Sequence, residues 1–242
     1  EGQTGIINLC RCGWAGSQKY GAAIWSGDIP STFESLREQI PAGLNMAMSG
    51  IPWWNTDIGG FKGGNPEDEQ FRELIVRWFQ YAVFTPVFRL HGVREPSSPF
   101  TGGDNEIWSF GEEAYTILKE YLFMRERLRP YIREQMKLAH KNAVPPMRPL
   151  FFDFPGDQTC YDIADQFMFG PDIMVAPVVE YRARDRRVYF PAGAGWKNAW
   201  SDDVVDGGQW MTVDAPIERA PVFLRNRASV PIVNGWKDVA DA

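Results

Sequence analysis

The sequence predicts an α/β protein in which a parallel strand–helix unit is followed by an antiparallel β-sandwich. In the first part, short apolar runs alternate with segments of helical periodicity, which is the pattern of parallel α/β architectures. From about Pro145, short strand-like runs are separated by turns rich in Gly, Pro and Asp, as in β-sandwiches. The boundary is predicted near 142–146, which gives domains 1–143 and 144–242.

Four strand-like runs are predicted in the first part, and a polar side chain closely follows or ends each of them. The carboxyl ends of barrel strands are where a (β/α)8 barrel collects its active site. An open doubly wound sheet obeys the same rule, so periodicity alone leaves both architectures open. The runs are 5–9, 21–25, 44–54 and 82–90, and the polar side chains are Arg11, Asp28, Asp57 and His91.

Three helices are predicted from the residues that start them. Residues 31–34 (Ser-Thr-Phe-Glu) have the pattern of a capping box ahead of an apolar stripe. Residues 65–66 supply an Asn N-cap and a proline at the first helical position. Residues 109–112 cap a long helix that runs to about Lys141, with a kink expected at Pro130.

Five strands are predicted in the second part. They are separated by turn sequences such as Pro-Gly-Asp and Asp-Gly-Gly, which interrupt helices and favour hairpins. The predicted strands are 147–154, 173–179, 187–190, 209–213 and 221–224.

Composition excludes several classes of protein. The hydrophobic content of 44% and the charged content of 23% are those of a soluble globular chain. The net charge of −6, with no block of Lys or Arg, argues against a nucleic-acid partner. No run approaches the roughly 18 apolar residues that cross a membrane. Cys10, Cys12 and Cys160 match no metal spacing and are expected to be buried free thiols.

Two of the strand-end residues are carboxylates, and this suits glycoside hydrolysis. That reaction needs two carboxyl groups beside the bond that is cleaved. Asp28 is the better acid, because it lies three residues after Trp25 and apolar surroundings favour a protonated carboxyl. Asp57 follows two tryptophans and precedes a glycine pair, which fits a stacking wall and a close ligand. Helix capping by Asp28 and turn closure by Asp57 are the alternatives.

Arg11 and His91 complete the set of strand-end candidates. The guanidinium of Arg11 could hold a substrate hydroxyl or orient a carboxylate, or form an ordinary ion pair. His91 could donate to a hydroxyl, or be structural. The remaining glycines match no phosphate-binding spacing.

These segments, in this order, resemble glycoside hydrolase family 31, the α-glucosidases, α-xylosidases and their relatives. The resemblance covers nearly the whole chain. It is carried by the run from Arg11 to Asp28, by Gly50-Ile51-Pro52-Trp53-Trp54 with Thr56-Asp57-Ile58-Gly59-Gly60-Phe61, by Phe88-Arg89-Leu90-His91-Gly92, by Arg127-Leu128-Arg129-Pro130-Tyr131 and by Phe169-Gly170-Pro171-Asp172-Ile173.

The resemblance implies the second half of a (β/α)8 barrel, strands 5 to 8, followed by a β-sandwich. It implies hydrolysis of terminal, non-reducing α-linked xylose or glucose with retention, with Asp28 as the acid/base and with no metal or cofactor. Contacts with the sugar or the site are implied for the other candidates: Arg11, Trp25, Trp54, Asp57 and His91.

The family's nucleophile motif, Trp-x-Asp-Met-Asn-Glu, does not occur in the sequence. The resemblance therefore predicts a partner, the N-terminal half of the same enzyme, and no glycosidase turnover by this chain alone. The alternatives are a non-catalytic carbohydrate-binding or regulatory module and an open-sheet interaction protein. The residues of two motifs, Ile51-Pro52-Trp53-Trp54 and Leu90-His91-Gly92, resemble those of the xylosidase-like bacterial members more closely. Oligomeric state, including a homo-oligomer, and compartment, cytoplasmic or secreted, are left open.

Overall fold

A short parallel sheet organises the first part of the structure, a computed structural model that describes residues 7–97 and 102–232. Its strands are β1 (Asn8–Cys10), β2 (Ala22–Trp25) and β3 (Trp54–Asn55), in that spatial order. A parallel bridge between Ile58 and Leu90 continues the pairing beyond β3. The carboxyl ends of the three strands lie at one edge of the sheet, since the strands run in the same direction. The segments that follow the strands therefore all leave from that edge.

Two of the predicted strands are mostly helix and turn. Helix α1 (Phe33–Met48) continues through the start of the run predicted as strand 44–54, because its buried face extends to Leu44 and Ala47 at helical spacing. Helix α2 (Glu69–Ala82) ends where strand 82–90 was predicted to begin. Local turn bonds follow it, and the segment then meets the sheet through the Val87 amide, which donates to Trp54 O at 3.3 Å, and through the bridge of Leu90 with Ile58.

The helices begin at residues other than those the patterns indicated. Thr32, not Ser31, caps α1, and its Oγ1 accepts the amide of Ser35 at 3.1 Å. Asp68 caps α2, whereas Asn65 forms a turn ahead of it by accepting the amide of Glu67. In each case the capping side chain is the one directly before the first helical residue.

The long helix predicted up to Lys141 is two helices. Helix α3 (Glu112–Arg127) follows Gly111, and α4 (Arg129–Asn142) follows Leu128. Pro130 occupies the first turn of α4, where a missing amide hydrogen costs no helical hydrogen bond. The proline therefore starts a new helix instead of kinking one.

The strands of the second part are β4 (Met147–Pro149), β5 (Phe167–Phe169), β6 (Ile173–Val175), β7 (Asp185–Phe190), β8 (Gly195–Asn198), β9 (Val204–Asp206), β10 (Gln209–Asp214) and β11 (Val222–Arg225). Six of them form an antiparallel sheet in the order β4-β5-β6-β11-β8-β9, and β7 and β10 form a separate antiparallel pair. The segment predicted as strand 147–154 is split into β4 and a short helix, α5 (Leu150–Asp153), and strands β5, β8 and β9 were not predicted.

Alternation along the central strands of this sheet creates two cores. On β5, Phe167 and Phe169 pack with the helices of the first part, while Met168 packs in the second core with the β7–β10 layer. Strands β6 and β11 alternate in the same way. Because successive side chains of a strand point to opposite faces, the sheet forms one layer of a sandwich and also the floor beneath the α/β part.

Helix α2 ties the two parts together through a buried arginine. The guanidinium of Arg77, which is 1% exposed, donates to the carbonyls of Ala183, Ala215 and Pro216 in the second part. Glu73, one turn earlier, accepts two hydrogen bonds from Arg184.

Within residues 7–97 and 102–232, no helix has both the length and the apolar character needed to cross a bilayer.

Candidate functional site

The carboxyl ends of β1 and β2 bring Arg11 and Asp28 together. The two strands pair in parallel, so the residues after Cys10 and after Trp25 leave the sheet at the same edge. Arg11 Nη2 lies 3.2 Å from Asp28 Oδ2, and the Asp28 side chain is 31% exposed. Asp28 does not cap α1, a role that Thr32 fills. It is left as a partly open carboxylate held by one arginine.

Asp57 follows β3 and is fully buried. Its Oδ1 accepts a hydrogen bond from Arg89, and Arg89 also donates to Asn55 Oδ1 at 3.2 Å. Its other oxygen, Oδ2, has no hydrogen-bond partner among the described residues. A buried carboxylate oxygen without a donor is costly, so the free energy of folding includes a penalty at this atom.

The charges around Asp57 define the extent of the cluster. Burial raises the pKa of Asp57, and the positive charges of Arg89, His91 and Arg94 oppose that rise. The negative charge of Asp28 adds to it. Asp28 and His91 are therefore near enough to Asp57 to influence its charge through space.

Aromatic rings border the cluster on two sides. The Arg89 guanidinium lies over the Trp25 ring, 6.0 Å from its centroid. The His91 ring, which is solvent-exposed, lies 5.5 Å from that of Phe61. Trp25 and His91 thus reach the same edge of the sheet as Asp28 and Asp57.

Trp54 is placed differently from the other five predicted site residues. It is 5% exposed and belongs to the core beneath α1, where a Cβ added to Gly43 would lie 2.7 Å from the indole. Its neighbour on β3, Asn55, faces the site instead, since adjacent strand residues point to opposite faces. The structure thus places the Trp54 ring in the core, and the sugar contact predicted for it stays a prediction.

Arg89 and Asn55 are site residues that sequence reasoning missed. Arg89 lies two positions before His91 in an extended segment, so the two side chains share a face. Asn55 lies two positions before Asp57, so these two side chains also share a face. Counting back by two from each strand-end candidate would have identified both.

The described residues contain no group of three or more His, Cys, Asp or Glu side chains that could hold a metal ion. The cysteines are free, but only Cys160 is buried as expected; Cys10 is half-buried and Cys12 is exposed. The chemistry that the cluster offers is that of two unequal carboxylates, one open and one buried, with arginine and histidine donors between them.

Comparison with known families finds two matching models that together span most of the chain. Residues 1–135 match the TIM-barrel domain of glycosyl hydrolases family 31, and residues 143–228 match the C-terminal domain of the same family. The first match decides between the two architectures that periodicity left open, in favour of the barrel.

Individual relatives agree with these matches. An α-xylosidase from Saccharolobus solfataricus is 39% identical over 96% of this chain and 32% of its own length. Alpha-glucosidase 2 from Bacillus thermoamyloliquefaciens is 34% identical over 93% of this chain and 27% of its own. A family 31 α-xylosidase from a soil metagenome, solved with xylose, is 55% identical with a TM-score of 0.91, covering 94% of this chain and 36% of that one. The chain thus spans about a third of the length of these relatives.

Proposed function

The chain belongs to glycoside hydrolase family 31, and on that basis we propose that it forms strands 5 to 8 of the barrel of a retaining exo-α-glycosidase and supplies the acid/base, Asp28. The nucleophile, an aspartate, would come from the N-terminal half of the same barrel, because the chain has no nucleophile motif. The substrate is an α-glycoside with xylose or glucose at its non-reducing end.

The observation that carries this proposal is the pairing of an open carboxylate with a buried one. Asp57 Oδ2 is fully buried and has no donor among the described residues, while Asp28 is 31% exposed. A sugar bound at this edge would meet the exposed His91 and the partly exposed Arg89, which Asp57 holds from the interior by an ion pair. In this proposal the glycosidic oxygen lies within reach of Asp28.

Asp28 then works in two steps. Its protonated carboxyl gives a proton to the departing glycosidic oxygen while the nucleophile forms a covalent bond to the anomeric carbon. The resulting carboxylate takes a proton from water, and the water attacks the anomeric carbon to release the sugar. Arg11, whose Nη2 is 3.2 Å from Asp28 Oδ2, orients the carboxylate between the two steps.

Xylose is the better-supported sugar, and glucose is the second candidate. The two α-xylosidases described above are 55% and 39% identical to the chain, and the α-glucosidase is 34% identical. The two sugars differ by one hydroxymethyl group, which a pocket of this kind discriminates by about 10- to 200-fold. Relative rates on nitrophenyl α-xyloside and nitrophenyl α-glucoside measure the preference.

The test is Asp28→Ala in a polypeptide that also contains the N-terminal half of the barrel. The rate on substrates with poor leaving groups should fall by about 10²- to 10⁴-fold, because protonation of the leaving oxygen is lost. An activated aryl leaving group needs little protonation, so its glycosylation rate should fall far less. Asp202→Ala is the control, since the Asp202 side chain is 99% exposed and lies in the C-terminal domain.

Equal loss on both kinds of leaving group would rule out an acid role for Asp28. The 242-residue chain without the N-terminal half should show no turnover, and addition of that half should restore it. If the joined polypeptide binds xylose or xylosides but turns none over, the chain is a non-catalytic carbohydrate-binding module instead.

A further inference from the structure

Three loops that carry candidate site residues are joined to one another by backbone hydrogen bonds. The loop after β3 is central: the amide of Phe61 donates to Ile29 O at 2.8 Å, and the amide of Val93 donates to Phe61 O at 2.8 Å. The amide of Ser31 returns a bond to Lys62 O at 2.9 Å. The segments that follow Asp28, Asp57 and His91 therefore form one connected rim.

Arg94 lies beneath this rim and is fully buried. Its guanidinium donates to Ile58 O at 3.0 Å, to Gly60 O at 2.9 Å and to Asn105 Oδ1 at 2.7 Å. Longer contacts reach Ser31 Oγ at 3.4 Å and His91 O at 3.5 Å. One side chain thus contacts all three loops and the segment around Asn105.

The loops are shaped to receive the guanidinium. Gly59 (φ +86°) and Gly92 (φ +156°) lie against it, and a Cβ at these positions would be 3.0 Å and 2.6 Å from its nitrogens. Both conformations favour glycine. Residues with side chains would close the space that Arg94 fills, so the site loops and the arginine fit as a set.

The charge of Arg94 is not neutralised by a salt bridge to a carboxylate among the described residues. Its strong contacts are neutral carbonyl and amide oxygens, and burial lowers its pKa to about 10, so it stays charged at neutral pH. The negative charge of Asp57 acts on Arg94 through space, and the positive charge of Arg94 acts on Asp57 in return. A buried positive charge without an ion-pair partner therefore lies close to the buried carboxylate.

We propose that Arg94 is a positioning residue for sugar binding: by holding the carbonyls of Ile58 and Gly60 and the His91 loop, it fixes the position of the Asp57 carboxylate. This inference rests on the function proposed above and deepens it. Arg94 acts through Asp57 and does not touch the substrate.

Arg125 provides a matched control. It is a half-buried arginine that also donates to backbone carbonyls, those of Val83, Thr85 and Pro86, and its pKa is likewise lowered to about 10 by desolvation. Those carbonyls lie at the beginning of the segment that ends in His91, away from the rim. Loss of Arg125 should destabilise the fold without moving the site loops.

The experiment compares Arg94→Met, Arg94→Lys and Arg125→Met in the polypeptide with the complete barrel, with rates expressed per folded molecule. For Arg94→Met, kcat/KM should fall by about 10²-fold, mainly through KM, because a displacement of about 1 Å in a positioned group costs that much. Arg94→Lys should recover part of the loss. Arg125→Met should leave KM unchanged.

The pH profile separates positioning from stability. The charged groups that face Asp57 are Arg89, His91, Asp28 and Arg94. Removal of the Arg94 charge removes one of the groups that lower the pKa of Asp57, so that pKa rises further. The acid limb of kcat/KM, which reports the free enzyme, should move to higher pH in Arg94→Met and stay in place in Arg94→Lys and Arg125→Met.

Asn105→Ala is the second variant if Arg94→Met fails to fold. Asn105 is half-buried, and the substitution removes the Oδ1 atom that accepts a hydrogen bond from Arg94 Nε at 2.7 Å. KM should rise, as in Arg94→Met, but by a smaller factor. Wild-type KM and wild-type acid limb in Arg94→Met, or wild-type KM in Asn105→Ala, would overturn the proposal. An Asp28→Ala variant with full activity would instead overturn the function itself.

Discussion

Asp57 carries its charge where a protein interior disfavours one. The side chain is fully buried, and burial is the largest influence on its pKa, which is raised despite the opposing charges of Arg89, His91 and Arg94. Asp28, with about a third of its surface exposed, does not share that environment. Two carboxylates at one edge of a sheet thus differ through their surroundings, and the buried environment that the sequence indicated for Asp28 is found at Asp57 instead.

The raised pKa of Asp57 predicts a pH dependence of stability. In the window between the ordinary pKa of an aspartate and the raised folded value, the folded state binds the proton and the unfolded state does not. The free energy of unfolding should therefore fall as pH rises through that window. Asp57→Asn removes this contribution, so its stability relative to wild type should increase with pH from about 4 upward, while its KM rises.

Thermal unfolding of both proteins at a series of pH values measures the effect. Asp202→Asn is the control: its pKa is lowered by Lys197, so any effect has the opposite sign, and exposure keeps it small. A stability difference between wild type and Asp57→Asn that is constant between about pH 4 and about pH 8 would contradict the buried charge.

At the scale of elements, the starts of the helices decide where the site loops end. Helix α1 begins directly after the loop that carries Asp28, and Thr32 terminates that loop by accepting the amide of Ser35. Ser31, which the capping-box pattern indicated, donates instead to Gly63 O in the loop after Asp57. The Thr32 hydroxyl therefore caps α1, whereas the adjacent Ser31 hydroxyl bonds to the loop after Asp57.

This division predicts different outcomes for Thr32, the residue that caps α1, and for Glu34, the acidic member of the predicted capping box. Thr32→Ala should cost about 1 kcal/mol of stability, as the loss of an N-cap does. Glu34→Ala should cost less than about 0.5 kcal/mol, because Glu34 is exposed and is not placed as the third helical residue of a box. Urea unfolding of the two variants distinguishes the caps, and a larger loss for Glu34→Ala would restore the sequence-based interpretation.

At the scale of the whole molecule, the C-terminal sheet supports the barrel segment in two ways. One face of the sheet supplies Phe167 and Phe169 to the core beneath α2. The turns before β7 and after β10 present carbonyls to Arg77, and Gln80 of the same helix donates to Ile217 O at 2.7 Å. The two parts thus share both apolar packing and buried hydrogen bonds.

Arg77→Met should therefore cost about 3 kcal/mol or more, because it leaves several buried carbonyls of the C-terminal domain without donors. Arg182→Met is the matched control: Arg182 bridges the same two parts by an ion pair with Glu69, but both side chains are mostly exposed. Its loss should cost far less, because exposed ion pairs contribute little to stability. Denaturant unfolding of the chain measures both, and equal costs would show that Arg77 does not hold the parts together.

The strand-end positions could be found from sequence because each is a local event. An apolar run that stops at Arg11, Asp28, Asp57 or His91 is visible without knowledge of the fold, and parallel pairing then brings such ends to one edge. The alternation of apolar residues that builds the sandwich is equally local. The family's motifs, read in order, added the barrel.

Other features depended on which neighbours surround a residue after folding. Leu44 continues a helix because its apolar neighbours lie one turn away in α1, and Trp54 enters the core because β3 turns that face toward α1. The partnerless oxygen of Asp57 and the role of Arg94 arise from loops far apart in sequence. Local pattern determined where the chain leaves each strand, whereas burial and charge, which depend on the whole packed structure, decided what each residue at those ends can do.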